Sequence, residues 1–263
     1  MSIKSFKQGK VALERALSKL GVASRSQTRE WILAGRIKVN KVVRRTLDFL
    51  VIPERDRLEL DGERIQQAGF KIILLYKPRG VVTTRSDEKG RPTVFSFLKA
   101  EDQYLHAVGR LDMATSGLLL LTNDTQLSHW LTDPANGVLR TYLVTVEGRV
   151  TEEEVRKLES GIEDKGEMLQ AQEILLRKTS NRESHLTVIL TEGKNREIRR
   201  MLKAIGHEVT RLKRVSFGGL SLGSLQPGGH RDLSPAEIMK AFSGAPPFVQ
   251  NCISLPCLPA GRP

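Results

Sequence analysis

The stretch "GRLDMATSGLLLLTND", residues 109–124, sets Arg110 and Asp112 two positions apart, just ahead of four consecutive leucines, Leu118 to Leu121. A polar loop running into an unbroken apolar segment reads as the entry to a buried strand, which puts Asp112 at the edge of a core, where pockets form. A carboxylate there can act as a nucleophile or as a proton acceptor, and both roles need the ionised form. Burial disfavours that form, so a cation must stand nearby. The stretch "EGKNREIRRMLKAIGH" offers one: Ile198, Met201, Leu202 and Ile205 share one helical face, and Arg196, Arg199, Arg200 and Lys203 the opposite one. Arg199 lies at the border of the basic stripe, closest to Leu202, and can turn its guanidinium inward toward Asp112.

Other chemistries find less support. Ser116 lacks the Gly-x-Ser-x-Gly elbow of a serine nucleophile and no histidine sits at a persuasive place, so Thr115, Ser116 and Gly117 read as the turn that aims Asp112. The five histidines, His106 and His129 among them, show no metal spacing. Cys252 and Cys257 both fall in the last 12 residues, which excludes a disulfide framework or zinc site in the folded body. A glycosidase would use two carboxylates flanking the bond, and the motif holds one, Asp124 being better placed as the cap of the helix "TQLSHWL".

The elements that must position these residues fall into two groups. Residues 4–45 carry 12 basic and only two acidic side chains, part of a formal net charge of +12 that favours a polyanionic partner. Within that stretch Leu13, Ala16, Leu17 and Leu20 recur at helical spacing before Gly21, and Ser24 with Gln27 opens a second helix running through Trp31 and Ile32 to Gly35. Two brief strands follow around Asn40-Lys41, then a third in "DRLELDG". From about residue 68 strands alternate with helices: "KIILLY", "RTYLVTVEG" with Tyr142, Val144 and Val146 on one face, and "SHLTVIL" with Leu186, Val188 and Leu190 on one face. Thr151 with Glu154 caps a helix whose neighbourhood, residues 152–167, holds seven acidic side chains and so marks an outer face. "LSPAEI" starts a last helix at Ser234, and five prolines in the final twenty residues mark a disordered tail. Apolar runs such as "GLLLLT" fall far short of the roughly 20 residues a membrane span needs, so a membrane role is not expected and a cytoplasmic location is.

The order helix, helix, small sheet in "LGVASRSQTREWILAGRIKVNKVV" resembles the RNA-binding domain named after ribosomal protein S4. "GRLDMATSGLLLLTND" is similar to the signature of pseudouridine synthases of the RsuA/RluB branch, and "YKPRGVVTT" with "GRPTV", "RTYLVTVEG", "EGKNREIRRML" and "LSPAEI" agree in order and spacing, over roughly residues 10–240. The resemblance implies an α+β protein. A small S4-type α/β RNA-binding domain over 9–66 precedes a synthase domain over 68–242, built on a mixed, mainly antiparallel sheet flanked by helices, with 243–263 as the tail.

The implied reaction is isomerisation of a uridine in ribosomal RNA to pseudouridine, with no cofactor and no metal, by a monomer acting on ribosomal RNA or a pre-ribosomal particle. "GRPTV" is slightly closer to the large-subunit enzymes of the branch than to the small-subunit ones. By the resemblance Asp112 is the catalytic carboxylate, its role as nucleophile or proton acceptor open, and Arg199 is the partner holding it charged. Tyr142, which by pattern alone is core packing, becomes the residue that stacks on the target base. Arg110 fills the gap left by the flipped base or, in the plainer alternative, contacts a phosphate. Arg25, Arg29, Arg36, Lys38 and Lys41 of the first domain, with Arg196 and Arg200, are the expected RNA contacts. The rival reading is an RNA-binding ribosome-assembly factor without activity; the presence of Asp112, Tyr142 and Arg199 argues against it.

Overall fold

The computed structural model describes residues 9–20, 23, 25–53, 55–65, 69–242 and 244–245; the helix signals at Gly21 and Ser24 and nearly all of the tail lie outside them. Helices α1 (Leu13–Lys19) and α2 (Arg25–Leu33) bury Leu13, Ala16, Leu17 and Ile32 against Ile37, Val39, Val51 and Leu58. The small sheet beneath them runs in the order Val42–Val43, Ile37–Val39, Leu58–Leu60, Glu63–Arg64. Its first hairpin turns on Asn40 and Lys41, both at positive φ (51° and 70°), as a two-residue turn between Val39 and Val42 requires.

The second unit is a nine-stranded sheet. Its main strands are β1 (Ile72–Lys77), β2 (Ser116–Thr122), β3 (Arg140–Glu147), β4 (Glu173–Thr179), β5 (Glu183–Leu190), β6 (Val209–Phe217) and β7 (His230–Asp232). They lie in the order β4-β5-β3-β6-β2-β1-β7, every neighbouring pair antiparallel except β6 and β2. The leucine run is apolar at every position because both faces of β2 are covered. Leu119 and Leu121 join Val144, Val146, Leu158 and Met201 in one layer, while Leu118 and Leu120 join Leu127, Leu131 and Ile238 in the other. Helices α4 (Glu152–Ser160) and α5 (Glu197–Ala204) therefore cover the first face, and α3 (Thr125–Thr132) and α6 (Pro235–Ala241) the second.

Three of these helices start where their sequence signals fall. Asp124 accepts from the amides of Gln126 and Leu127, and Thr151–Glu154 and Ser234–Glu237 form complete capping boxes. At the parallel junction Gly117 pairs with Arg214 at φ +118°, and a Cβ there would stand 2.1 Å from the Arg214 carbonyl oxygen. Only glycine lets β6 approach the strand that follows Asp112 this closely.

Candidate active site

Asp112 sits in the turn before β2, and the backbone of that turn is gripped from inside. The amide of Thr115 donates to the Asp112 carbonyl at 3.0 Å. Lys77, the last residue of β1, is fully buried, and its ammonium donates to the carbonyls of Pro78 (3.0 Å), Asp112 (3.1 Å) and Thr115 (2.7 Å). Three protons thus meet three acceptors, the whole donor capacity of the group. Burial pushes the Lys77 ammonium down to about 8, opposed by the charge of Asp112, so at neutral pH it is mainly protonated. The flanks are pinned as well: the Thr83 hydroxyl donates to the Leu111 carbonyl at 2.8 Å, and the Gly80 amide donates to the Met113 carbonyl at 2.7 Å. With its main chain held, the Asp112 carboxylate is presented outward, its side chain 33% exposed.

The cation beside that carboxylate is Arg196, with Nη1 3.5 Å from Asp112 Oδ2. The expectation named Arg199 as that partner; the ion pair falls to Arg196, whose side chain is half exposed and stays accessible to RNA. The helical wheel treats 196–205 as continuous helix, whereas α5 begins at Glu197 and Arg196 stands at its N-cap in left-handed backbone (φ 51°, ψ 31°), which takes its side chain off the stripe. Arg199 does turn inward and is buried, but its guanidinium donates to the carbonyls of Val209 (2.8 Å) and Ala114 (3.3 Å). It ties the Asp112 turn to β6. Burial and the neighbouring Arg196 lower its pKa while Asp112 opposes them, so its charge still faces the carboxylate.

Tyr142 lies on β3 opposite Arg214 of β6, which in turn lies opposite Gly117 of β2. Tyr142 and the start of β2 are therefore two strands apart, about 10 Å. It is 7% exposed and shares a layer with Leu111, Ile198 and Leu202, so it is on the same face of the sheet as α5. Arg110 is exposed, and no hydrogen bond or ion pair engages it among the described residues.

Arg200 departs from expectation. Its guanidinium is held by the carboxylates of Asp164 and Glu167 and the Asp164 carbonyl, in the hairpin Ile162–Asp164/Glu167–Leu169, and is not free for phosphate. Arg25, Arg29 and Lys41 are exposed and Lys38 half-buried, while Arg36 pairs with Asp61 and lies over the Trp31 ring at 5.7 Å. Lys77 and Thr83 were missed by the sequence reading. The available signal was a lysine closing the apolar run "IILLY" directly before Pro78.

A family profile described as RNA pseudouridylate synthase matches residues 71–204, and one described as S4 domain matches residues 13–55. The ribosomal large subunit pseudouridine synthase B of Bacillus subtilis (strain 168) is 39% identical over 230 residues, 87% of this chain and 94% of that one. The chain belongs to the RNA pseudouridine synthase family. A second such synthase, the ribosomal large subunit pseudouridine synthase B of Vibrio cholerae, is 36% identical over 86% of this chain and 72% of that one. A solved structure described as a crystal structure of pseudouridylate synthase superposes with a TM-score of 0.61 at 29% identity, covering 88% of this chain and 99% of that one. Within this synthase Lys77, Asp112, Tyr142, Arg196 and Arg199 all fall inside the matched synthase segment, and Arg25, Arg29, Arg36, Lys38 and Lys41 inside the S4 segment.

Proposed function

We propose that this synthase converts a uridine of large-subunit ribosomal RNA to pseudouridine, with Asp112 as the catalytic carboxylate. The observation that carries the assignment is the outward-facing carboxylate in a turn held by Lys77 at the Asp112 carbonyl and by Arg199 at the Ala114 carbonyl, its charge balanced by Arg196. The reaction breaks the bond from uracil N1 to C1′ of the ribose, turns the base, and joins C5 to C1′; the hydrogen on C5 leaves and N1 gains one. No electron or group enters or departs, so the chemistry asks for neither redox cofactor nor donor.

Asp112 serves by attacking C1′ or by taking the 2′ proton, and either route starts from the anion that Arg196 stabilises. A uridine stacked in a helix cannot reach a carboxylate at the end of β2, so the target must be flipped out. Tyr142, on the same face, would stack on the extruded base, and the unengaged Arg110 would fill the vacated stack. The large-subunit choice is supported by the names of the two relatives and by the "GRPTV" stretch. Among the described residues no helix is long and apolar enough to cross a membrane. The proposed setting is the cytoplasm, with the protein a monomer and ribosomal RNA or its precursor particle its partner.

Tritium release from large-subunit transcripts labelled at uridine C5 tests this reading; no release from these transcripts would overturn it. In the same assay the Arg25→Gln, Arg29→Gln, Lys41→Gln triple variant should raise KM and lower the slope of log affinity against log salt by about 2 to 3, leaving kcat unchanged. An unchanged salt slope would remove the first domain from RNA binding.

A further inference from the structure

Glu197 is the first residue of α5 and only 3% exposed. Its Oε2 accepts from the Lys194 amide at 3.1 Å, and its own amide donates to the Lys194 carbonyl at 3.3 Å. Side chain and main chain together close the four-residue turn Lys194–Glu197, inside which Arg196 takes the left-handed conformation that non-glycine residues seldom adopt. That conformation directs the Arg196 guanidinium to Asp112. Oε1 of Glu197 is enclosed and receives no N–H or hydroxyl donor among the described residues; the neighbouring carboxyl is that of Glu192, with which a hydrogen bond forms once one of the two carries a proton.

We propose that Glu197 is a positioning residue for the Asp112–Arg196 pair: its enclosed carboxyl fixes the turn that carries Arg196 and so holds the cation against the catalytic carboxylate. The proposal rests on the reading of Asp112 given above. The charged groups facing Glu197 are Glu192 and Lys194 from the segment before α5, which pair with each other, and Arg140 from β3. Burial, then Glu192, push the Glu197 carboxyl up to about 7. With the folded value raised above the unfolded one of about 4.3, its stabilising contribution is complete on the acid side and is lost as pH rises through about 7. Ionisation would strengthen the bond from the Lys194 amide, but burial and Glu192 outweigh it, so the folded chain favours the neutral carboxyl, a state that a glutamine, neutral at every pH, reproduces.

Tritium release measured from pH 6 to 8.5 decides the matter. Glu197→Ala should lower kcat about tenfold to a hundredfold with KM for RNA little changed, because the misplaced group acts on chemistry rather than on binding. In the Glu197→Ala, Arg196→Ala double variant the loss should be no greater than in Arg196→Ala alone. Glu197→Gln should recover most of the kcat lost in Glu197→Ala at pH 6.5 and should lack the native protein's decline between pH 7 and 8, the fall above pH 8 that Lys77 causes being common to both. Wild-type kcat in Glu197→Ala, or losses that multiply in the double variant, would overturn the proposal. Should Glu197→Ala not fold, a Glu197→Gln profile identical to the native one overturns it equally. Asp112→Asn assayed alongside separates the two failures: full turnover there sinks the catalytic reading, whereas an inactive Asp112→Asn beside an unaffected Glu197→Ala sinks only the positioning role.

Discussion

Asp112→Asn is expected to lower single-turnover tritium release by about a thousandfold or more while RNA affinity stays within a factor of two. The amide has the shape of the carboxylate but neither attacks C1′ nor accepts a proton, and removing a positioned base alone costs on the order of 10² to 10⁴. The fold should be spared, because the structural bonds of this residue run through its carbonyl, to Lys77 and the Thr115 amide, and not through the carboxylate. Arg196 is left without its counter-ion, yet it is half exposed and remains hydrated. Unimpaired release in this variant would remove Asp112 from the chemistry. Weakened binding with normal single-turnover release would recast it as an RNA contact.

Lys77→Met should be the most damaging substitution outside the carboxylate itself. The side chain fits in length, but the carbonyls of Pro78 and Thr115 lose their ammonium donor and the Asp112 carbonyl keeps only the Thr115 amide. A buried acceptor left unpaired costs about 1 to 3 kcal/mol, so a total loss of roughly 3 kcal/mol or more is expected in urea unfolding, with turnover falling as the Asp112 turn loosens. The pH dependence carries a signature. Because burial lowers the Lys77 pKa to about 8, the folded chain binds fewer protons than the unfolded one between about 8 and 10.4, and the contribution of this group to stability rises with pH across that window. Turnover moves the opposite way above pH 8, since the neutral amine has two N–H donors for three carbonyls. Lys77→Met should lack the stability rise; native-like stability in this variant would show that the three bonds contribute nothing.

What the sequence made legible follows local physics. Asp124, Thr151 and Ser234 cap α3, α4 and α6 because a capping side chain answers amides two or three residues away. The run Leu118 to Leu121 announced a strand buried on both faces, and Asp112 at its mouth followed. Strand order did not follow: β6 pairs with β2 across nearly a hundred residues, and the glycine that allows it sits in a motif that reads equally well as a simple turn. Arg196 rather than Arg199 makes the ion pair with Asp112 for a reason of one residue. A periodic pattern places Arg196 opposite the apolar face only if the helix already includes it, and the left-handed N-cap breaks that period. Arg200 was misread because its partners, Asp164 and Glu167, come from the acidic stretch assigned to an outer face, and nothing local links the two. Lys77 was invisible for the same reason, since a lysine at a strand end looks solvated until a loop 35 residues later brings two of its three carbonyls.

The most direct test of the central claim is a map of pseudouridines in the large-subunit and small-subunit ribosomal RNA of a strain lacking the gene, repeated after complementation with the native gene and with Asp112→Asn. A large-subunit pseudouridine should disappear in the deletion strain, return with the native gene, and stay absent with Asp112→Asn. An unchanged map in the deletion strain, or a site restored by Asp112→Asn, would contradict it.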